Sequence, residues 1–328
     1  MVKFDRSLLF LYSENARAKI KDLSGTLKKS SQRLKYSIEK FEKEGIINNA
    51  HCVFDYSYFG IILFRVYFKG GYISEKDKAE IIKKLVINPY IVSICELSGE
   101  FDLALELGAP NPSRFNKELK NIATLIPTLN NYKILLNVVT HIYPRYYLIE
   151  DYSAITHIEG EKIIGGDRII EDFSQNEISI MKNLQISPKI RLTTLARQSS
   201  INIKTAVSIL KNLENKKIVK GFKYVLDTGK LGINKFRLFL KLHNVSKERE
   251  QQLMDFMLKT KEIVQLNKTV GDWDMEVDIE SADKNRIRFL TIQIRENFKD
   301  IIETFNIIEF SKYYMKSYLP KYLFEKQA

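Results

Sequence analysis

The sequence predicts an α+β fold laid out twice along one chain, and three observations predict it. First, Ser98-Gly99-Glu100-Phe101-Asp102 returns as Val270-Gly271-Asp272-Trp273-Asp274. The same offset of 172 superposes Leu23 on Leu195, Glu42 on Glu214, Ile46 on Ile218, Asp55 on Asp227, Gly60 on Gly232, Arg65 on Arg237 and Tyr146 on Tyr318. One offset held over roughly 145 residues is the mark of an internal repeat. Second, within each copy the apolar spacing changes from a helical period to strand alternation, so a helical unit precedes a sheet unit. Third, the net charge of +12 is concentrated. Residues 1–50 hold eleven Lys/Arg against six Asp/Glu, and residues 172–222 hold nine against three, so the helical units carry nearly all of the excess.

Asp5 suits the N-cap of a first helix over 5–16, with Leu8, Leu9, Leu11 and Tyr12 on one stripe. A short second helix over 18–24 turns Ile20 and Leu23 inward, and residues 25–29 supply a turn. Ser30 then caps a third helix whose Leu34, Ile38 and Phe41 fall on one buried face, and Gly45 ends it. Residues 50–58 alternate and read as a β-hairpin or wing. A strand over 61–69 puts Phe64, Val66 and Phe68 on one face and Leu63, Arg65 and Tyr67 on the other. A helix over 74–87, strands over 90–98 and 101–108, a helix over 112–126 and a strand over 132–142 complete a ferredoxin-like βαββαβ order. The face bearing Leu63 and Tyr67 is too apolar for water, and calls for a second sheet from a partner or from the other repeat.

The plan restarts at Ser174, and Asn202 caps the second copy of the third helix, with Ala206, Leu210 and Leu213 inward. Strand 233–243, helix 246–259, strands 263–270 and 273–280, helix 283–297 and strand 301–314 repeat the sandwich, and an apolar tail over 318–324 docks onto it. The expected domains are winged helix-turn-helix units over 1–59 and 172–231, ferredoxin-like units over 60–147 and 232–328, and a linker over 148–171.

A third helix after a short turn is the element that enters a DNA major groove, where Gln and Arg read base edges and Lys or Ser hold phosphates. The candidate DNA-binding residues are Ser30, Ser31, Gln32, Arg33, Lys35, Tyr36 and Lys40 in the first unit, and Asn202, Lys204, Thr205, Ser208 and Lys211 in the second. Concentrated positive charge on two segments fits the same partner, double-stranded DNA. The Gly-rich loops offer a second candidate site. Glycine there permits a tight turn, and Asp102 or Asp274 either caps that turn or pairs with the ammonium of an effector whose carboxylate lies on nearby amides. Gly99, Glu100, Asp102, Gly271, Asp272 and Asp274 are the candidate effector residues.

Leu23, Ser30, Ile38, Phe41-Glu42, Gly45-Ile46-Ile47, Asp55 and Gly60, with their counterparts Leu195-Ala196, Asn202, Leu213-Glu214, Ile218-Val219, Asp227 and Gly232, resemble the helix-turn-helix signature of the Lrp/AsnC transcriptional regulators. The two Gly-x-aromatic-Asp loops resemble that family's effector-binding domain. The resemblance implies a regulator that binds DNA, pairs sheet to sheet with itself as an intramolecular pseudo-dimer or a homo-oligomer, and responds to small molecules such as amino acids. Ser37 and Ser208 stand where the family usually places Arg, which shifts phosphate holding to Arg33, Lys35 or Lys204.

Other classes find less in the sequence. The four histidines at 51, 141, 157 and 243 lack metal-ligand spacing, no phosphate loop or nucleophile elbow is present, and neither a cofactor nor an enzyme is expected. Siroheme decarboxylases share this architecture and occur as tandem pairs, but the strands where a His-bearing motif is expected, Tyr90–Cys95 and Ile263–Lys268, contain none. A non-DNA assembly module is the remaining alternative. No apolar run approaches the roughly 20 residues that span a bilayer, so no membrane is expected and the cytoplasm is the expected compartment. Cys52 and Cys95 sit in apolar stretches and read as small core residues.

Overall fold

The computed structural model describes residues 4–70, 74–149 and 160–325. The first half runs α1 (Arg6–Glu14), α2 (Ile20–Leu27), α3 (Ser31–Lys43), β1 (Ile47–Phe54), β2 (Ile62–Phe68), α4 (Glu75–Ile87), β3 (Ile91–Ser98), β4 (Leu103–Ala109), α5 (Pro112–Leu125) and β5 (Tyr132–Ile142). After β6 (Lys162–Gly165) the order recurs as α6 (Gln175–Ile186), α7 (Leu192–Gln198), α8 (Ile203–Asn215), β7 (Val219–Leu226), β8 (Asn234–Leu242), α9 (Lys247–Lys259), β9 (Ile263–Gly271), β10 (Met275–Ser281), α10 (Lys284–Asn297) and β11 (Ile302–Lys316). This is the α+β architecture of two winged helix-turn-helix and two ferredoxin-like units.

The recurrence reaches single backbone angles. Lys28 and Ser200, just past the second helix of each unit, are left-handed at φ 52° and 54°, and Gly45 and Lys217, past the third, at 64° and 62°. Glycine adopts that conformation freely, whereas Lys217 bears a cost of about 1 kcal/mol. The turn geometry therefore outranks residue type at this position.

Eight strands close into a barrel in the order β2-β4-β3-β11-β8-β10-β9-β5, with β5 pairing back onto β2. The last strand of each half is the bridge: β5 pairs with its own β2 and with β9, and β11 with its own β8 and with β3. The second sheet that the Leu63 and Tyr67 face calls for thus comes from the same chain. Outside the barrel, α4 and α5 cover one sheet over Phe64, Leu105 and Phe115, and α9 and α10 cover the other over Leu240, Leu253 and Leu290.

Two expectations give way. Residues 50–58 do not fold back as a hairpin; β1 is a single strand that pairs antiparallel with β7, and the register sets His51 opposite Lys223, its counterpart at the offset of 172. An alternating, half-buried strand looks the same in sequence whether its partner is local or 170 residues away. The ribbon merges both helical units into one apolar core that holds Leu8, Leu34 and Phe41 together with Met181, Leu195 and Leu213. The stretch read as a linker is also partly structured: β6 pairs with β5 over Val139–Ile142. Four residues are too few to show a period. Residues 150–159 of that stretch lie outside the described residues.

Candidate nucleic-acid interface

Amphipathic spacing decides what α3 and α8 show to solvent. In α3, Leu34, Ile38 and Phe41 are buried, while Ser31, Gln32, Arg33, Lys35, Tyr36 and Lys40 are exposed, Tyr36 at 72 %. In α8, Ala206, Leu210 and Leu213 are buried, Lys204, Ser208 and Lys211 are exposed, and Thr205 is half-buried. Ser30 and Asn202 cap these helices, their side-chain oxygens accepting from the Arg33 amide at 3.3 Å and the Thr205 amide at 2.8 Å. Those two residues therefore serve first as the start signals that position the faces. Ser37 turns its hydroxyl back onto the Arg33 carbonyl at 3.1 Å. The sequence reading missed Ile203 and Val207, which stand 49 % and 41 % exposed beside Lys204. An apolar side chain on the outer face of such a helix suits a thymine methyl. The signal was an apolar residue out of step with the buried stripe.

The heads rest on the barrel through buried charge. Arg65 lies opposite Glu106 across β2 and β4, and Arg237 opposite Asp278 across β8 and β10, again at the offset of 172. Arg65 reaches Glu106 at 3.0 Å and Glu276 at 3.1 Å; Arg237 grips Asp278 through two bonds of 2.6 and 2.9 Å and donates to the Tyr67 hydroxyl at 2.6 Å. The chain of pairs runs on toward the ribbon: Lys235 to Glu280 at 3.1 Å, Glu280 to Arg145 at 3.0 Å, Arg145 to Glu14 at 3.2 Å, and Glu14 to Lys223 at 2.6 Å. Burial alone would raise the Glu106 carboxyl, yet Arg65, Lys316 and Arg237 outweigh it and bring it down to about 2. Glu280 is held at about 2 by Arg145 and Lys235 against the same opposing burial. His51 moves to about 3 because it is buried and faces Lys316, Lys223 and Arg145, so it is neutral at pH 7. None of this network was read from sequence, although the paired positions sit at the repeat offset.

The Gly-Asp loops lie at the barrel end away from the ribbon, since β2 runs from the ribbon side at Ile62 to its pairing with Leu103 at Phe68. Gly99 and Gly271 have φ of 122° and 146°, and a Cβ on Gly271 would meet the Ile134 carbonyl at 2.9 Å. Asp102 accepts from the Gly70 amide at 2.5 Å, and Asp274 from the Leu242 amide at 2.7 Å, so each carboxylate caps the end of its neighbouring strand. Glu100 and Asp272 converge from the two loops on Lys133, at 3.5 and 3.4 Å.

Residues 1–48 match a family described as winged helix-turn-helix DNA-binding. No curated protein sequence matches the chain. Among solved structures, siroheme decarboxylase NirDL in complex with an iron-uroporphyrin III analogue superposes with a TM-score of 0.57 at 12% identity, covering 96% of this chain and 94% of that one. A second structure of siroheme decarboxylase NirDL gives 0.56 at 11% identity, covering 96% and 93%. An AsnC family transcriptional regulator from Agrobacterium tumefaciens covers 44% of this chain and 91% of its own, at 13% identity and a TM-score of 0.36. The absence of a recognisable catalytic motif led to the expectation that the chain is no enzyme, and this is corrected: the fold along 96% of the chain is one that an enzyme, siroheme decarboxylase NirDL, is built on. The shared architecture is legible in the sequence; what misleads is taking a missing His motif as grounds against an enzyme, since one fold hosts many functions.

Proposed function

We propose that the chain is a sequence-specific DNA-binding transcriptional regulator of Lrp/AsnC type, in which a duplicated unit supplies two reading heads on one closed barrel. The observation that carries this reading is the exposed polar and cationic face of α3, within a stretch that matches a winged helix-turn-helix DNA-binding family, repeated in kind on α8. Arg33 and Gln32 would read base edges, Lys35, Lys40, Lys204 and Lys211 would hold phosphates, and Tyr36, Ser31, Thr205 and Ser208 would add groove contacts. The domain bounds proposed above, 1–59, 60–147, 172–231 and 232–328, follow the same division. The ribbon and barrel hold the heads at one separation, matching half-sites about one helical turn or a multiple apart. An effector, for which the Gly99 and Gly271 loops remain the proposed contacts, would act by favouring one separation over another. Duplexes carrying two copies of a selected half-site at graded spacings test the reading by fluorescence anisotropy. An affinity maximum at one spacing, recurring at about 10 base pairs, supports it; binding indifferent to spacing, or none, counts against it.

A second reading rests on a different observation. Beneath the ribbon a chamber of about 50 Å³ is lined by His51, Arg145, Lys223, Lys235 and Lys316. Its four cations are paired with Glu14, Glu106 and Glu280, and would exchange those partners for the carboxylates of a tetrapyrrole such as the iron-uroporphyrin III analogue seen with siroheme decarboxylase NirDL. The chamber is far below the roughly 300–1,000 Å³ of a usual ligand pocket, so this reading requires the ribbon to lift. Titration with that analogue, followed by its visible absorption, tests it: a saturable spectral shift lost in His51→Ala favours the enzyme, and an unchanged spectrum excludes it.

A further inference from the structure

β6 and β11 point to a docking groove. On the first half, β6 lies along β5, with Val139 opposite Gly165 and Thr140 opposite Ile164. The Gly166 amide donates to the Val138 carbonyl at 2.9 Å, the Gly165 amide donates to Asp55 at 2.9 Å, and Ile164 is fully buried. Adding 172 carries Val138–His141 onto Phe310–Tyr313 of β11, and Asp55 onto Asp227. There β11 has left β8, its last paired residue being Glu309 opposite Phe236, and turns only its other edge to β3. No strand lies along that free edge of residues 310–313 among the described residues. In the place that β6 fills on the first half stands a groove of about 410 Å³, bounded by Asn48, Asn49, Leu226, Thr228 and β11.

We propose that this groove captures an extended acidic peptide from a partner protein, which adds to β11 as β6 adds to β5. Strand addition gives main-chain hydrogen bonds along Phe310–Tyr313, and Asp227 takes the amide that Asp55 takes from Gly165. Charge specifies the partner. The seated strand begins with Lys162, beside a cleft whose three acids, Glu14, Glu161 and Glu214, nearly balance its cations Arg17, Lys162, Lys217 and Lys220. The open groove instead carries Lys230 and Lys312 against the one carboxylate of Asp227, with Lys235 at its floor already paired to Glu280 at 3.1 Å. A second copy of β11 would bring another Lys312 to a groove that is already cationic, which disfavours self-pairing. Thr228 replaces Tyr56, whose hydroxyl would meet a Cβ on Gly165 at 2.7 Å, but a Cβ there would also meet the Val138 carbonyl at 2.9 Å, and Val138 has Phe310 as its counterpart, so the peptide favours glycine at this position.

The test uses the full chain and a fluorescein-labelled hexapeptide, Glu-Ile-Ile-Gly-Gly-Glu, with a control in which both Glu are Lys. Anisotropy is expected to show saturable binding of the acidic probe, at least roughly tenfold weaker for the control and for the double variant Lys230→Glu and Lys312→Glu, and retained when both become Arg. Hydrogen exchange is expected to show slowed amides within 310–313 on binding. No binding at millimolar probe, equal binding of acidic and basic probes, or protection elsewhere overturns the proposal. A concentration-dependent dimer that protects the same amides without peptide also overturns it, in favour of a second copy.

Discussion

Arg65 faces Glu106 in the first half of the barrel and Arg237 faces Asp278 in the second, yet the two sites are not equals. Glu276, which touches Arg65 at 3.1 Å and Arg237 at 3.5 Å, has Ala104 as its counterpart, and Lys316, which pairs with Glu106 at 3.1 Å, has Pro144. Tyr67, which donates to Glu276, stands where the second half has Phe239. One extra acid and one extra base have thus entered from the second half only; equal and opposite, they preserve the balance that Glu106 and Asp278 already set against the buried arginines. The turns, by contrast, are kept in both halves down to the φ of single residues. Positions bound by backbone geometry repeat, and positions that meet a neighbour diverge. The exposed faces of α3 and α8 follow that rule, with Gln32, Arg33 and Tyr36 on α3 set against Lys204, Thr205 and Ser208 on α8.

The barrel asymmetry is the place to break the comparison hardest. Glu276→Ala leaves two buried guanidinium groups short of a partner and is expected to lower unfolding free energy by about 3–5 kcal/mol in denaturant titrations. The paired change Arg65→Met with Glu276→Met should lose less than the two single changes summed, because it removes both charges of one contact.

Acid weakens the same network with a defined sign. Glu106 and Glu280 sit at about 2 in the folded chain, below the unfolded carboxyl range, so their contribution is complete above about pH 4.5 and disappears as pH falls toward 2. His51, at about 3, binds its proton less readily folded than unfolded, so stability also falls as pH drops from about 6.5 toward 3. Thermal melts should therefore begin to weaken below pH 6.5 and steepen below pH 4.5. His51→Gln should remove the first part and keep the second.

The heads give a smaller and separable effect. Arg33→Ala with Lys35→Ala, and Lys204→Ala with Lys211→Ala, should each weaken DNA binding by roughly tenfold or more and leave the melting profile in place. Unequal losses would show which head carries more of the affinity. The smallest effect belongs to the loops: Asp102→Ala and Asp274→Ala each remove a cap of one strand end, for about 1 kcal/mol apiece. A larger loss at only one of them would mark that loop as more than a turn.

Much of this fold was legible because its signals are local. Caps at Ser30 and Asn202, helix stripes through Leu34 and Leu210, and strand alternation around Arg65 all appear where the spacing puts them. The pairing of β1 with β7 was not legible, since His51 and Lys223 meet only through the long-range closure of two halves. The same is true of the Arg145, Glu280 and Lys235 chain, whose members lie on separate elements and carry no motif. In the candidate interface the exposed faces of α3 and α8 could be read directly, whereas Ile203 and Val207 went unassigned because an apolar side chain outside the buried stripe carries no polar signal.

The measurement that tests the central claim most directly is a salt titration of duplex DNA binding by the intact chain, beside the two head variants. Lys35, Lys40, Lys204 and Lys211 as phosphate contacts predict that log K falls against log salt with a slope of about −3.6, made shallower by about 2 in Lys204→Ala with Lys211→Ala and by about 1 in Arg33→Ala with Lys35→Ala. A chain that fails to bind, a slope near zero, or variants with the parent slope would contradict the assignment of α3 and α8 as the DNA-reading faces.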